Sequence, residues 1–125
     1  MIGIIVATHD HFGKELLKTA ESIVGTQEDV ITISVAPGTI GMKEHFVELG
    51  EETLERNDEL LWLVDIFGGT PFRYVSQCVV DDERQHLVTG VNLPMLMEAL
   101  MNRKKTGSEL AELLVSDSQT GIRKM

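Results

Sequence analysis

The chain has 125 residues, 42% of them hydrophobic, which fits one domain, 1–125, with its own core. Its 20 acidic and 11 basic residues leave a net charge of −9, which argues against nucleic acid as the main partner and suits a soluble protein that meets basic surfaces. The single cysteine, Cys78, excludes an internal disulfide and a cysteine-rich metal site, and no apolar run reaches the ~18 residues of a membrane span.

Ile2 to Ala7 is a continuous, β-branched apolar run that ends at Thr8-His9-Asp10. A strand covered on both faces of a parallel sheet looks like this. The run is short and has neither a basic leader nor a cleavage pattern, so a cytoplasmic protein without a signal peptide is expected. Phe12, Leu16, Ala20, Ile23 and Val24 then recur at helical spacing, and Gly25 ends the helix. Val30 to Val35 reads as a second strand, closed by Pro37-Gly38. Met42, Phe46, Leu49 and Leu54 mark an amphipathic helix with a glutamate-rich outer face. Leu60 to Val64 is a third buried strand, ended by Asp65. Gly68-Gly69 predicts a turn, with Thr70 as N-cap and Pro71 as first residue of the next helix. Phe72, Val75 and Val79 form that helix's apolar stripe. Leu87 to Val91 predicts a fourth strand, and Asn92-Leu93-Pro94 opens a fourth helix. Thr106 to Glu109 has capping-box spacing before Leu110, Leu113 and Leu114. Gly121 to Met125 is ambiguous.

This alternation argues for an open, doubly wound α/β fold with a mostly parallel sheet and right-handed crossovers. In such folds the chemistry lies at the carboxyl ends of the strands. Strand one delivers Thr8, His9, Asp10 and His11 there. Strand three delivers Asp65 and the turn Gly68-Gly69-Thr70, and strand four delivers Asn92. In the order 2-1-3-4, His9 and Asp65 end on adjacent strands. A histidine that attacks phosphorus must present a neutral lone pair. A carboxylate on its other ring nitrogen fixes the tautomer and steadies the developing charge. The Gly68-Gly69-Thr70 turn offers backbone N–H groups and a hydroxyl at a helix start, suited to an anion. On residues alone, a phosphoryl-carrying His9 stands about even with a strand-end histidine that is merely hydrogen-bonded.

Three segments, Ile4 to His9 (IIVATH), Leu63 to Phe72 (LVDIFGGTPF) and Gly90 to Leu96 (GVNLPML), carry a resemblance. They resemble the IIA component of the mannose/fructose/sorbose class of the bacterial phosphoenolpyruvate-dependent sugar phosphotransferase system. The resemblance runs from the first strand to about Leu114, and its middle motif is the most specific. It implies a cytoplasmic phosphocarrier that takes a phosphoryl group from the carrier protein HPr onto Nε2 of His9. It would pass the group to a IIB component of a sugar transporter, touching the membrane only through that complex. Asp65 would hold the near ring nitrogen, and Gly68, Gly69 and Thr70 would receive the phosphate. Thr8, Asp10 and Asn92 are candidates to support the site. No cofactor or metal is implied. The family fold has four parallel strands with helices on both faces. Its members commonly dimerise by exchanging a C-terminal strand, which here would fall on Gly121 to Met125.

Asp10 departs from the pattern, since the family often has a small residue such as glycine there. Its carboxylate would disfavour a phosphorylated neighbour unless it turns away as a helix cap. No fused IIB domain or linker follows, so a separate IIB partner is expected. His9-Asp10-His11 imitates a metal-binding pair, but the hydrolase barrel that uses one needs roughly 250 residues. A small-molecule hydrolase using His9, His11 and Asp65 is therefore the weakest alternative. A histidine-phosphorylated regulatory module, or a dihydroxyacetone-kinase-type phosphocarrier, is the stronger one. His11 is read as solvated, while Cys78, Trp62 and the set Met95, Met97 and Met101 are read as packing residues.

Overall fold

A computed structural model describes residues 1–125. The order is β1 (Ile2–His9), α1 (Phe12–Val24), β2 (Val30–Val35), α2 (Lys43–Arg56), β3 (Glu59–Val64), α3 (Thr70–Asp81), β4 (Gln85–Thr89), α4 (Leu93–Met101) and α5 (Gly107–Thr120). The four strands are parallel in the order β2-β1-β3-β4, so β1 lies between β2 and β3.

The continuous apolar runs of β1 and β3 have a direct cause. Successive side chains point to opposite faces, and both faces are covered. Ile2, Ile4, Val6, Leu61 and Leu63 enter one core with α1, α4 and α5. Ile5, Ala7, Leu60, Trp62 and Val64 enter the other with Phe46 of α2 and Val75 and Cys78 of α3. Trp62 is fully buried, and its indole N–H donates to Gln85 Oε1 at 2.8 Å, so its polar edge is satisfied.

Two expectations need correction. The fourth strand begins and ends two residues earlier than Leu87 to Val91. Its polar start was hidden because Gln85 serves Trp62 and His86 meets Glu59 across the sheet at 2.9 Å. Gly90, at φ 81°, then turns the chain out of the strand. Phe12 and Ile23, assigned to the buried stripe of α1, are exposed, and that helix packs through Leu16, Leu17 and Ala20 instead. Thr106 does cap α5, accepting from the Glu109 N–H at 3.2 Å, but its hydroxyl also reaches the Glu109 carboxylate. In the single chain α5 runs to Thr120, and Gly121 to Met125 form no strand.

Candidate functional site

The β1–β3 ladder ends at Ala7 opposite Val64. Beyond it, a side chain continues the hydrogen bonding. The backbone N–H of His9 donates to Asp65 Oδ2 at 2.9 Å, and His9 Nδ1 lies 2.9 Å from the same oxygen. Asp65 Oδ1 accepts from the Ile66 N–H at 2.9 Å. The carboxylate is thus fixed on both oxygens. An ionised carboxylate only accepts, so Nδ1 carries the hydrogen and Nε2 presents its lone pair. The Asp65 side chain is only 10% exposed and that of His9 42%, so the pair is anchored on its inner side and open on its outer side.

Gly69 packs against the outer part of the ring. A Cβ placed there would stand 2.8 Å from His9 Cε1 and 3.3 Å from Nε2. No other residue type leaves the ring where it is. Gly68 adopts φ 84°, the left-handed turn that brings the backbone in. The first helical bond of α3 runs from the Arg73 N–H to Gly69 O, so Gly69 is the N-cap and Thr70 the first helical residue. The expectation of Thr70 as N-cap is therefore one residue off. The helix must start where its backbone can lie against the ring. Freed from capping, the Thr70 hydroxyl accepts from Arg73 Nη2 at 3.1 Å. Sequence reasoning missed Arg73; its only signal was the three-residue spacing from Thr70 along a helix.

Thr8 is buried, and its hydroxyl accepts from the Gly13 N–H at 2.7 Å, joining the end of β1 to the first turn of α1. It holds the turn that carries His9 and faces α1. Asp10 is not a helix cap: the cap residue of α1 is His11, without a side-chain bond, and Thr8 supplies the acceptor. Asp10 instead holds φ 49°, and its exposed carboxylate lies 3.7 Å from His11 Nε2. Glycine would hold that left-handed φ without strain. Asn92 caps α4, accepting from the Met95 N–H at 2.9 Å. The loop after Asp65 carries two exposed apolar side chains, Ile66 at 58% and Phe67 at 75%, with Phe67 tilted against Phe72 at 4.6 Å between centroids. Cys78 is buried, which pushes its thiol up, as a packed residue requires. Met95 is buried, but Met101 is exposed.

Residues 3–115 match the model of the EIIA-man family, described as the phosphotransferase-system fructose IIA component. The mannose-specific EIIAB component of Escherichia coli (strain K12) is 39% identical over 127 residues, a match covering 98% of this chain and 39% of that protein. The chain thus spans about two-fifths of that relative. The fructose-specific EIIA component of Bacillus subtilis (strain 168) is 32% identical over 106 residues, covering 83% of this chain and 72% of that protein. Among solved structures, the phosphotransferase-system component EIIA from Streptococcus agalactiae superposes with a TM-score of 0.86 at 30% identity, covering 99% of this chain and 97% of its own. The mannose/sorbose-specific IIA subunit from Enterococcus faecalis does so at 0.84 and 25%, covering 98% and 93%. With this fold, strand order and extent of match, the chain belongs to the mannose/fructose/sorbose (EIIA-man) family of phosphotransferase-system IIA components.

Proposed function

We propose that the protein is a protein-histidine phosphotransferase that accepts a phosphoryl group from phosphorylated HPr on His9 Nε2 and gives it to a IIB component for sugar uptake. The observation that carries this reading is the 2.9 Å bond between His9 Nδ1 and a carboxylate fixed on both oxygens, which leaves Nε2 as the free nucleophile. In the transfer the Nε2 lone pair attacks phosphorus as the donor's N–P bond breaks, and the donor imidazole keeps the electron pair. The Nδ1 proton stays against Asp65, which offsets the charge gained by the ring. Gly68, Gly69 and Thr70, at the start of α3, receive the phosphoryl oxygens. Thr8 supports the site by fixing the β1–α1 turn, Asn92 by fixing the start of α4 beside it, and Asp10 adds a carboxylate next to the acceptor.

The openness of His9 favours a macromolecular partner. A cavity of about 850 Å³ lies at the amino ends of the strands, lined by Asp29, Arg56 and Arg103 among others, and does not take in the histidine. The protein works in the cytoplasm and meets the membrane through its transporter. No helix is long and apolar enough to cross a membrane. It forms a homodimer, and the outer edge of β4, with exposed Val115 and Ile122 of the C-terminal region nearby, is the surface on which a partner's C-terminal segment would add. A mass measurement in solution tests the dimer. For the phosphocarrier, incubation with phosphorylated HPr should give one acid-labile, base-stable phosphate per chain, which then passes to a IIB component. Label that persists in His9→Ala sinks the assignment, and label that no IIB component accepts leaves only a regulatory module.

A further inference from the structure

The chain's other arginines are held by strong acceptors. Arg56 pairs with Asp29 and Arg84 with Asp82, Arg103 is held by backbone carbonyls, and Arg123 donates to the Thr120 carbonyl. Arg73 is held differently. The one hydrogen bond of its side chain is to the Thr70 hydroxyl at 3.1 Å, and it takes part in none of the protein's ion pairs. This holds in a chain of net charge −9, where carboxylates are plentiful.

Its placement is specific. Arg73 lies in the first turn of α3, and its N–H closes the first helical bond onto Gly69 O at 3.0 Å. A cation there opposes the helix dipole, and no acidic residue occupies that turn to offset it. The bond to Thr70 folds the guanidinium back along the helix towards its N-terminus. There, Gly69 touches the Cε1–Nε2 edge of His9. What disfavours the helix slightly would favour an anion arriving at that edge. Arginine presents a planar set of donors, of which the Thr70 bond uses one, and the rest match phosphoryl oxygens in geometry and charge.

We propose that Arg73 is a further catalytic residue, whose guanidinium, parked on Thr70, binds the equatorial oxygens of the phosphoryl group as it moves onto His9 Nε2. This rests on the phosphocarrier reading above and deepens it. No atoms are exchanged with Arg73. The N–P bond of the donor phosphohistidine breaks as the Nε2–P bond forms, and the guanidinium meets the negative charge spread over the three oxygens in passage.

The test uses the full chain and its Arg73→Ala and Arg73→Lys variants. Arg73 is exposed and its side chain has no hydrogen bond other than that to Thr70, so both should melt like the parent protein. Labelling rates are measured against the concentration of phosphorylated HPr. Separately, His9 is phosphorylated with phosphoramidate, which needs no protein donor, and the phosphorus resonance is recorded. Arg73→Ala should lower kcat roughly 10- to 100-fold with KM changed by about twofold or less, and should shift the phosphorus resonance. Arg73→Lys should recover part of the rate through charge alone. An unchanged kcat overturns the proposal. So does a rise in KM alone with the resonance unmoved, which would make Arg73 a docking contact for an acidic partner surface. A parent protein that takes no label on His9 from either donor removes the phosphocarrier reading, and this one with it. Label that forms normally but ignores Arg73 removes this one only.

Discussion

Replacing Gly69 with alanine separates the geometry of the site from the stability of the fold. Gly69 has φ −76° and ψ −179°, extended values that alanine adopts freely, so the backbone does not resist the change. The cost lies in the 2.8 Å approach of the new Cβ to His9 Cε1. Ordinary contact begins near 3.4 Å, so the ring must move by about 0.6 Å. It cannot do so freely, because Nδ1 is tied to Asp65 at 2.9 Å, and a comparable displacement takes that bond beyond its useful range. His9 is partly exposed and can yield, which puts the stability loss near the lower end of overpacking, about 1 kcal/mol or some 4 °C in Tm. The loss in rate should be larger, about tenfold, since misplacing a reacting group by 1 Å costs on the order of a hundredfold. Gly68→Ala is the comparison, since it keeps the backbone N–H groups that receive the phosphate and leaves the His9 ring in place. Nothing lies within 4 Å of its Cβ, but at φ 84° alanine is strained by about 1 kcal/mol. The two variants should melt alike and label differently. Thermal melts, initial labelling rates and the nitrogen resonances of His9 decide it. Equal labelling of the two variants, with the His9 tautomer unchanged in Gly69→Ala, would refute the reasoning.

Asp65→Asn should slow labelling by roughly a hundredfold or more, because the neutral amide no longer offsets the charge gained by the ring, and its NH₂ must face either the Ile66 N–H or the two His9 groups that share Oδ2; nitrogen resonances of His9 check the cause. Asp10→Gly relieves a left-handed residue and removes the exposed carboxylate beside His9. The phosphorylated fraction at equilibrium with HPr should rise about two- to fivefold at low ionic strength and fall back towards the parent value in high salt, and a gain insensitive to salt would point to backbone relief instead. Arg103→Ala removes the guanidinium donors from the carbonyls of Ile2, Glu28 and Asp29, of which Asp29 keeps the Ile4 N–H, and should cost about 3 kcal/mol in a denaturant melt, while the folded fraction labels normally. The hydrogen-bonded Arg84 guanidinium holds the Asp82 carboxyl down at about 2, against 3.8 unperturbed. A depressed acid contributes stability above its unfolded value and loses it as pH falls through the folded one. The Tm difference between the parent and Arg84→Ala should therefore shrink from pH 4 to about 2, and a constant difference would exclude this linkage.

The fold was legible where hydrophobic pattern alone decides it. Ile2 to Ala7 and Leu60 to Val64 are strands because alternate residues fill two separate cores, and that doubly covered pattern leaves little room for another reading. The pair His9 and Asp65 was legible because strand order brings two strand ends together and the strand facing His9 delivers one carboxylate there. What escaped was whatever depends on side chains reaching out of pattern. Gln85 and His86 look like loop residues until Trp62 and Glu59 are beside them. Thr70 looks like a cap until the contact of Gly69 with a ring from another strand fixes where the helix begins. Asp10 looks like an odd substitution until its φ of 49° shows that the turn, rather than the chemistry, favours glycine there.

The two ends of the sheet use polar groups in opposite ways, and this division argues for the placement of function. At the amino end Arg103 is buried and spends its donors on three carbonyls, and burial pushes its guanidinium down from the usual arginine range without a carboxylate to offset it fully. Glu59 there joins His86 at 2.9 Å and the Gly107 N–H at 2.8 Å, tying β3, β4 and α5 together. These contacts tie together segments far apart in sequence, which is what stability needs. At the carboxyl end only the inner side of the site is held, by Thr8 and Asp65. On the outer side the Nε2 edge of the histidine, an arginine on a hydroxyl and a strained aspartate remain available to an incoming molecule. A fold that merely needed His9 as a strand-end residue would have no use for that asymmetry. A carrier that must take up a charged group from one protein and release it to another has to leave those groups uncommitted, and it can do so only because the opposite end holds the sheet.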